Sequence, residues 1–140
     1  MTRIHPTAVV APRAELASDV EVGPWCAVDG PVVIGSGCVL MAHATVMGHT
    51  TLGTGNRIYP GAVLGAPPQD LKYAGEATRV VEGHRNHFRE HVTVHAGTAQ
   101  GGAVTGADAL GQVGPLSKRE NTGRRHHPIV LDDHPAVVQW

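Results

Sequence analysis

Aliphatic residues recur at every sixth position through the first half of the chain: Ile4, Val10, Leu16, Val22, Val28, Ile34, Leu40, Val46, Leu52, Ile58 and Leu64. Four places after each comes a second column, mostly small or β-branched: Ala8, Ala14, Val20, Cys26, Val32, Cys38, Ala44, Thr50, Asn56 and Ala62. A helix repeats every 3.6 residues and a half-buried strand every two, so neither accounts for a period of six. The pattern predicts an all-β protein, a parallel β-helix in which both columns point inward. Three hexads, about eighteen residues, make one coil, and coils stack about 4.8 Å apart. The residue directly after the aliphatic is often Gly or Ala, as at Ala11, Ala17, Gly23, Gly35, Gly53 and Gly65, which suits corners between strands.

Two breaks interrupt the repeat. Residues 65–79 read GAPPQDLKYAGEATR, where two prolines and a polar run cannot continue a coil. A loop projecting from a rigid scaffold is a favoured place for binding residues, because its ends are fixed while its tip varies. The repeat resumes in VVEGHRNHFREHVTVHAGT, with Phe88 and Val94 in the aliphatic column and Asn86, Val92 and Thr98 in the second. Glu82 falls at an inward position of this coil. Burying an unpaired carboxylate is costly, so the coil is expected to be distorted or to leave Glu82 solvated. A Gly-rich break, AQGGAVTG, follows at residues 99–106.

The predicted organisation is therefore a β-helix over residues 1–106 with an inserted loop at 65–79, and a non-repeat tail at 107–140. The tail holds the basic residues Lys118, Arg119, Arg124 and Arg125 and shows no six-residue register. It is expected to be irregular or to fold back over the open end of the prism.

Composition narrows the function classes. Lys+Arg 11 against Asp+Glu 12 gives no argument for nucleic acid or an anionic membrane. No apolar run reaches membrane-spanning length and MTRIHPTAVV has no signal-peptide core, so a cytoplasmic protein is expected. Cys26 and Cys38 lie twelve residues apart, whereas stacked positions lie eighteen apart, so they belong on different faces and read as small buried residues. Trp25 is expected to face outward, and His5, His43 and His49 to sit at turns or outward positions.

The residues that break the repeat carry a resemblance. IHPTAVV, VGPWC, IGSGCVL, GHTTLGTGN, PQDLKYAGEATR and REHVTVHAGTAQGG together resemble the acyl-carrier-protein-dependent UDP-N-acetylglucosamine O-acyltransferases, which begin lipid A synthesis. The hexads alone point only to the wider left-handed β-helix superfamily. The stretch from Gln69 to Glu76 is more specific, as are Arg89, Glu90, His95, Gly97, Thr98, Gly101 and Gly102. The resemblance covers about residues 4–105 and implies a left-handed coil and a homotrimer with sites between prisms. It implies transfer of a 3-hydroxyacyl group from acyl carrier protein to the sugar 3-hydroxyl, with a histidine as general base and no cofactor or metal. Gln69 and Asp70 would contact the sugar nucleotide, Lys72 would supply a positive charge for the diphosphate or the acidic carrier, and His95 would line the same cleft.

The chain departs from the family beyond residue 105. The family's catalytic histidine lies in a His-x-x-His-Asp stretch after the Gly-rich break, and neither His126-His127-Pro128 nor Asp132-Asp133-His134 matches it. No residue of this sequence is assigned the base. A reading frame lost or cut short near residue 106 is expected, with a short homologue as the competing explanation, and impaired activity follows from either. Two other functions compete: a non-catalytic sugar-nucleotide-binding or scaffold protein on the same fold, and a zinc hydrolase drawing on His84, His87, His91 and His95. Those four histidines sit at different hexad offsets, which argues against the last.

Overall fold

A strand of two to four residues is too short to be stable alone, so each hexad holds its place only by pairing with the coils above and below. The computed structural model describes residues 2–69, 71, 73–75, 77–99 and 104–105, with the backbone of 128–129 and 137–138. It is a three-sided prism. The first face is built from β1 (Arg3–Ile4), β4 (Glu21–Val22), β7 (Val39–Leu40), β10 (Arg57–Ile58) and β13 (His87–Phe88). The second holds β2 (Val9–Val10), β5 (Ala27–Asp29), β8 (Thr45–Met47), β11 (Val63–Ala66) and β14 (Thr93–His95). The third holds β3 (Glu15–Leu16), β6 (Val33–Ile34), β9 (Thr50–Leu52), β12 (Arg79–Glu82) and β15 (Val104–Thr105). Pairing within each of these sets is parallel. The backbone of β17 (Val137–Val138) pairs onto β13, with Val137 opposite His87, and β16 (Pro128–Ile129) runs antiparallel to it.

Register shows how the breaks are absorbed. Partners lie eighteen residues apart early in the prism, as in Ile4↔Val22, and thirty apart across the first break, as in Ile58↔Phe88. The insertion thus adds twelve residues, two whole hexads, and every inward position returns to its column. Across the second break Arg79 pairs with Val104, twenty-five residues on, so seven residues are added before β15 rejoins the third face.

Both columns point inward as the hexads predict: Val22, Val28, Ile34, Leu40, Val46, Leu52, Ile58, Leu64, Phe88 and Val94 are buried, as are Val20, Cys26, Val32, Cys38, Ala44 and Ala62. Each large aliphatic buried this way contributes about 1.5–3 kcal/mol. In the first coil burial is less complete: Ile4 is 45% exposed, and Ala8, Val10, Ala14 and Leu16 are half-buried. Trp25 is exposed, and both cysteines are free and buried on different sides. Their burial raises each thiol's pKa.

The thiols also do more than fill space. Cys26 Sγ donates to Met41 O at 2.9 Å and Cys38 Sγ to Gly53 O at 3.0 Å, each reaching a corner carbonyl of the next coil. Asn56 Nδ2 does the same to Gly83 O at 2.8 Å across the insertion.

Glu82 corrects an expectation. It is 3% exposed and pairs in unshifted register with Leu52, so the coil is neither distorted there nor opened to solvent. The reason is the two-hexad insertion: restoring the register places the residue in Leu52's column whatever its chemistry.

The corners differ from the sequence reading too. After the first and third faces, the left-handed residue is the third beyond the inward aliphatic: Trp25 (φ 59), Gly37 (φ 74), His43 (φ 62), Gly55 (φ 68), Gly61 (φ 79), Arg85 (φ 56) and His91 (φ 60). The Gly or Ala directly after the aliphatic serves close stacking instead. A Cβ on Gly35 would lie 2.6 Å from Gly53 O.

Candidate functional site

Two insertions leave the prism at one corner, between the second and third faces, on successive coils. On the first of these, β11 runs past its inward Leu64 to Ala66, with a register shift between those residues. Gly65 makes that shift possible, since its φ is +89 and a Cβ there would collide with Met47 O and Thr50 Oγ1. Pro67 and Pro68 then end the strand and send the chain outward. Gln69 is exposed, Leu71 is fully exposed at 102%, Tyr73 is half-buried, and the chain re-enters through buried Thr78 into β12.

On the next coil, His95 ends β14 directly beside the root of this loop. It pairs with Ala66, and Ala96 N–H donates to Ala66 O at 2.8 Å. Thr105 Oγ1 donates to His95 O at 2.8 Å, so the returning end of the second insertion is tied to the same residue. Partial burial holds the His95 imidazole below its ordinary pKa. It is therefore neutral at neutral pH, able to offer one nitrogen as acceptor and the other as donor.

Of the four residues singled out by sequence, the structure places Gln69 and His95 at this one corner. Asp70 and Lys72 lie outside the described residues, on the same loop between Gln69 and Tyr73. Gly97 is buried and Thr98 half-buried just beyond His95. Gly101 and Gly102 lie outside the described residues.

Arg89 and Glu90 sit elsewhere, at the corner between the first and second faces. The Arg89 guanidinium lies 4.3 Å from the Tyr59 ring centroid, and its Nε donates to Glu90 Oε1 at 3.1 Å. That hydrogen bond lowers the Glu90 pKa and raises that of Arg89, but both are exposed and the pair adds little stability. Tyr59 Oη also lies 3.3 Å from His87 Nδ1. The sequence reading missed this cluster. Its signal is the pairing of Arg57–Ile58 with His87–Phe88 through thirty residues, which becomes visible only once the insertion length is known.

The histidines do not converge. His84 stands at the corner of the third and first faces, His87 on the first face, His91 at the next corner and His95 at the end of the second face. A zinc site built from them within one chain has no geometric support.

Comparison with known proteins agrees with this layout. Residues 31–66 match the family model described as bacterial transferase hexapeptide (six repeats). LpxA from Acinetobacter baumannii is 46% identical over 74% of this chain and 40% of its own, with a TM-score of 0.71. The UDP-N-acetylglucosamine acyltransferase of Bacteroides fragilis is 42% identical over 74% of this chain and 41% of its own, with a TM-score of 0.70. The UDP-N-acetylglucosamine O-acyltransferase of Moraxella catarrhalis is 42% identical over 74% and 40%, with a TM-score of 0.72. The chain spans about two-fifths of the length of these solved structures. With three parallel faces, hexads throughout and this degree of identity, the chain is a left-handed parallel β-helix of hexapeptide repeats that is similar, over 74% of its length, to these UDP-N-acetylglucosamine acyltransferases.

Proposed function

We propose that this chain supplies the sugar-nucleotide half of an acyltransferase site, in which a 3-hydroxyacyl group passes from acyl carrier protein to the 3-hydroxyl of UDP-N-acetylglucosamine. The observation that carries the reading is the register Ala66↔His95, which brings the root of the Gln69-bearing loop beside a partly buried histidine. Gln69 and Asp70 offer hydrogen bonds to the sugar nucleotide, with Asp70 accepting from sugar hydroxyls. Lys72 provides a point charge for the diphosphate or for the acidic carrier. Neutral His95 presents a donor and an acceptor at the cleft wall. The working form is a homotrimer whose clefts between prisms complete each site, in the cytoplasm and without a cofactor. No residue of residues 107–140 takes the general base in this reading, so the chain binds the sugar nucleotide and transfers acyl groups poorly.

Calorimetric titration with UDP-N-acetylglucosamine tests it. Saturable binding is expected, lost in Asp70→Ala and weakened in Gln69→Ala, with acyl transfer near background. Absence of binding by a folded chain would refute the site, and full turnover would refute the assignment of impaired activity. Binding without turnover is also what the scaffold alternative predicts. That alternative is favoured only if restoring a His-x-x-His-Asp coil after residue 105 fails to restore transfer.

A further inference from the structure

We propose that Thr50 is a positioning residue for the loop that carries Gln69, holding both ends of that loop from the coil beneath it. Both ends rest on one turn, residues 47–50. On the way out, Gly65 passes so close to the turn that a Cβ would collide with Met47 O and Thr50 Oγ1. On the way back, Val80 N–H donates to His49 O at 3.0 Å, and Val80 pairs in register with Thr50. The shape of four residues therefore sets where the loop leaves the prism and where it returns.

The Thr50 side chain ties that turn. Its Oγ1 donates to Met47 O at 2.6 Å, while its N–H donates to Gly48 O at 2.9 Å across a left-handed Gly48 (φ 67). Thr50 is buried at 1% exposure, with Gly65 seated against the hydroxyl and its acceptor. Two oxygens come this close only by sharing a proton. A methyl group in place of the hydroxyl stands off a carbonyl by about 3.3–3.6 Å, so Met47 O and the Gly65 resting on it must give way.

The neighbours of Thr50 in its own inward column argue that the hydroxyl is there for the loop. Through the pairings of the third face the column reads Ala14, Val32, Thr50, Val80 and Thr105. Of these five, the two hydroxyls stand on the coil below the first insertion and on the coil above it. Thr105 makes the same bond as Thr50: its Oγ1 donates at 2.8 Å to the carbonyl of His95, which ends β14 as Met47 ends β8. Filling an apolar column requires no hydroxyl, as Val32 and Val80 show at 0% exposure. The bond recurs where a strand end beside the loop has to be held in place. The effect on ligand affinity rests on the sugar-nucleotide reading above; the effect on the loop does not.

Thr50→Ser and Thr50→Val separate donor from shape, since serine keeps the hydroxyl and valine keeps the bulk without it. In amide spectra of the ligand-free chain, Thr50→Val is expected to displace the loop resonances of Leu71, Tyr73 and Gly75, and Thr50→Ser to leave them near wild type. Thr50→Ala, which empties the turn instead of crowding it, gives the same loop response if valine prevents folding. Calorimetry well below every melting temperature should then show UDP-N-acetylglucosamine bound about tenfold more weakly by Thr50→Val and within about twofold of wild type by Thr50→Ser. Val32→Ala, which weakens the same column one coil lower, should bind as wild type does. Unmoved loop resonances in the variants lacking the hydroxyl, or affinities that follow melting temperature instead of the hydroxyl, would overturn the proposal. A responding loop on a chain that does not bind the sugar nucleotide upholds the positioning role and refutes the function proposed above.

Discussion

Asn56→Ala probes the bridge that carries the prism across its insertion. Asn56 is fully buried in the inward column that also holds Val20, Cys38 and Asn86. Its Nδ2 donates to Gly83 O at 2.8 Å and its Oδ1 accepts from Asn86 N–H at 2.9 Å, so one side chain ties together segments about thirty residues apart. Gly83 O also accepts from Gly53 N–H at 3.1 Å and keeps that donor in the variant. The Asn86 N–H then faces a cavity instead of an acceptor, at a cost of about 1–3 kcal/mol. Loss of the second bond and of packing adds about 1 kcal/mol. The total, about 2–4 kcal/mol, is a large share of the 5–15 kcal/mol typical of a domain. With a urea slope of about 1.5 kcal/mol/M, the unfolding midpoint should fall by about 2 M. Urea titrations followed by circular dichroism and by tryptophan fluorescence measure this, with exposed Thr51→Ala as a control expected within about 0.5 kcal/mol. An Asn56→Ala midpoint indistinguishable from that control would refute the reasoning.

Gly65→Ala should prevent or severely weaken folding, because φ is +89 and the added methyl would overlap Met47 O; soluble yield and thermal melting report it. His95→Gln should flatten the pH dependence of stability. Burial lowers the His95 pKa from 6.5, so the folded state binds fewer protons and wild type loses stability as pH falls from 6.5 through the lower folded value. Urea unfolding at pH 7.5 and 5.5 should therefore show a smaller drop in the variant, and equal drops would contradict the assignment. Phe88→Ala, which empties a fully buried position next to the insertion, should cost about 3–5 kcal/mol in the same titrations.

The scaffold was legible because a period of six is incompatible with helix or simple strand, and Val22 to Leu64 are buried where that period puts them. Ile4 shows the limit: the pattern marks which way a residue points, not how deeply it is buried. Trp25 and Arg85, and with them His43 and His91, adopt left-handed backbone where no glycine or asparagine signals it. Stacking on adjacent coils dictates their conformation, at about 1–2 kcal/mol each, and composition carries no trace of that. Glu82 misled because the cost of burying a carboxylate argued for a distorted or opened coil, whereas the strand pairing keeps its register and holds the residue inside. The loop's composition marked it as a projection, and the motif picked out Gln69 and His95. Their shared corner came from the twelve-residue insertion length, which a sequence gives only after both ends of the repeat are aligned.

The most direct test of the account is backbone amide mapping of the folded chain during titration with UDP-N-acetylglucosamine. Shifts are predicted at Gln69, Leu71, Tyr73, His95 and Ala96, with Trp25, His43 and Arg89 unmoved. Shifts centred on the Tyr59–Arg89 corner, or none at saturating ligand, would contradict the placement of the site between the second and third faces.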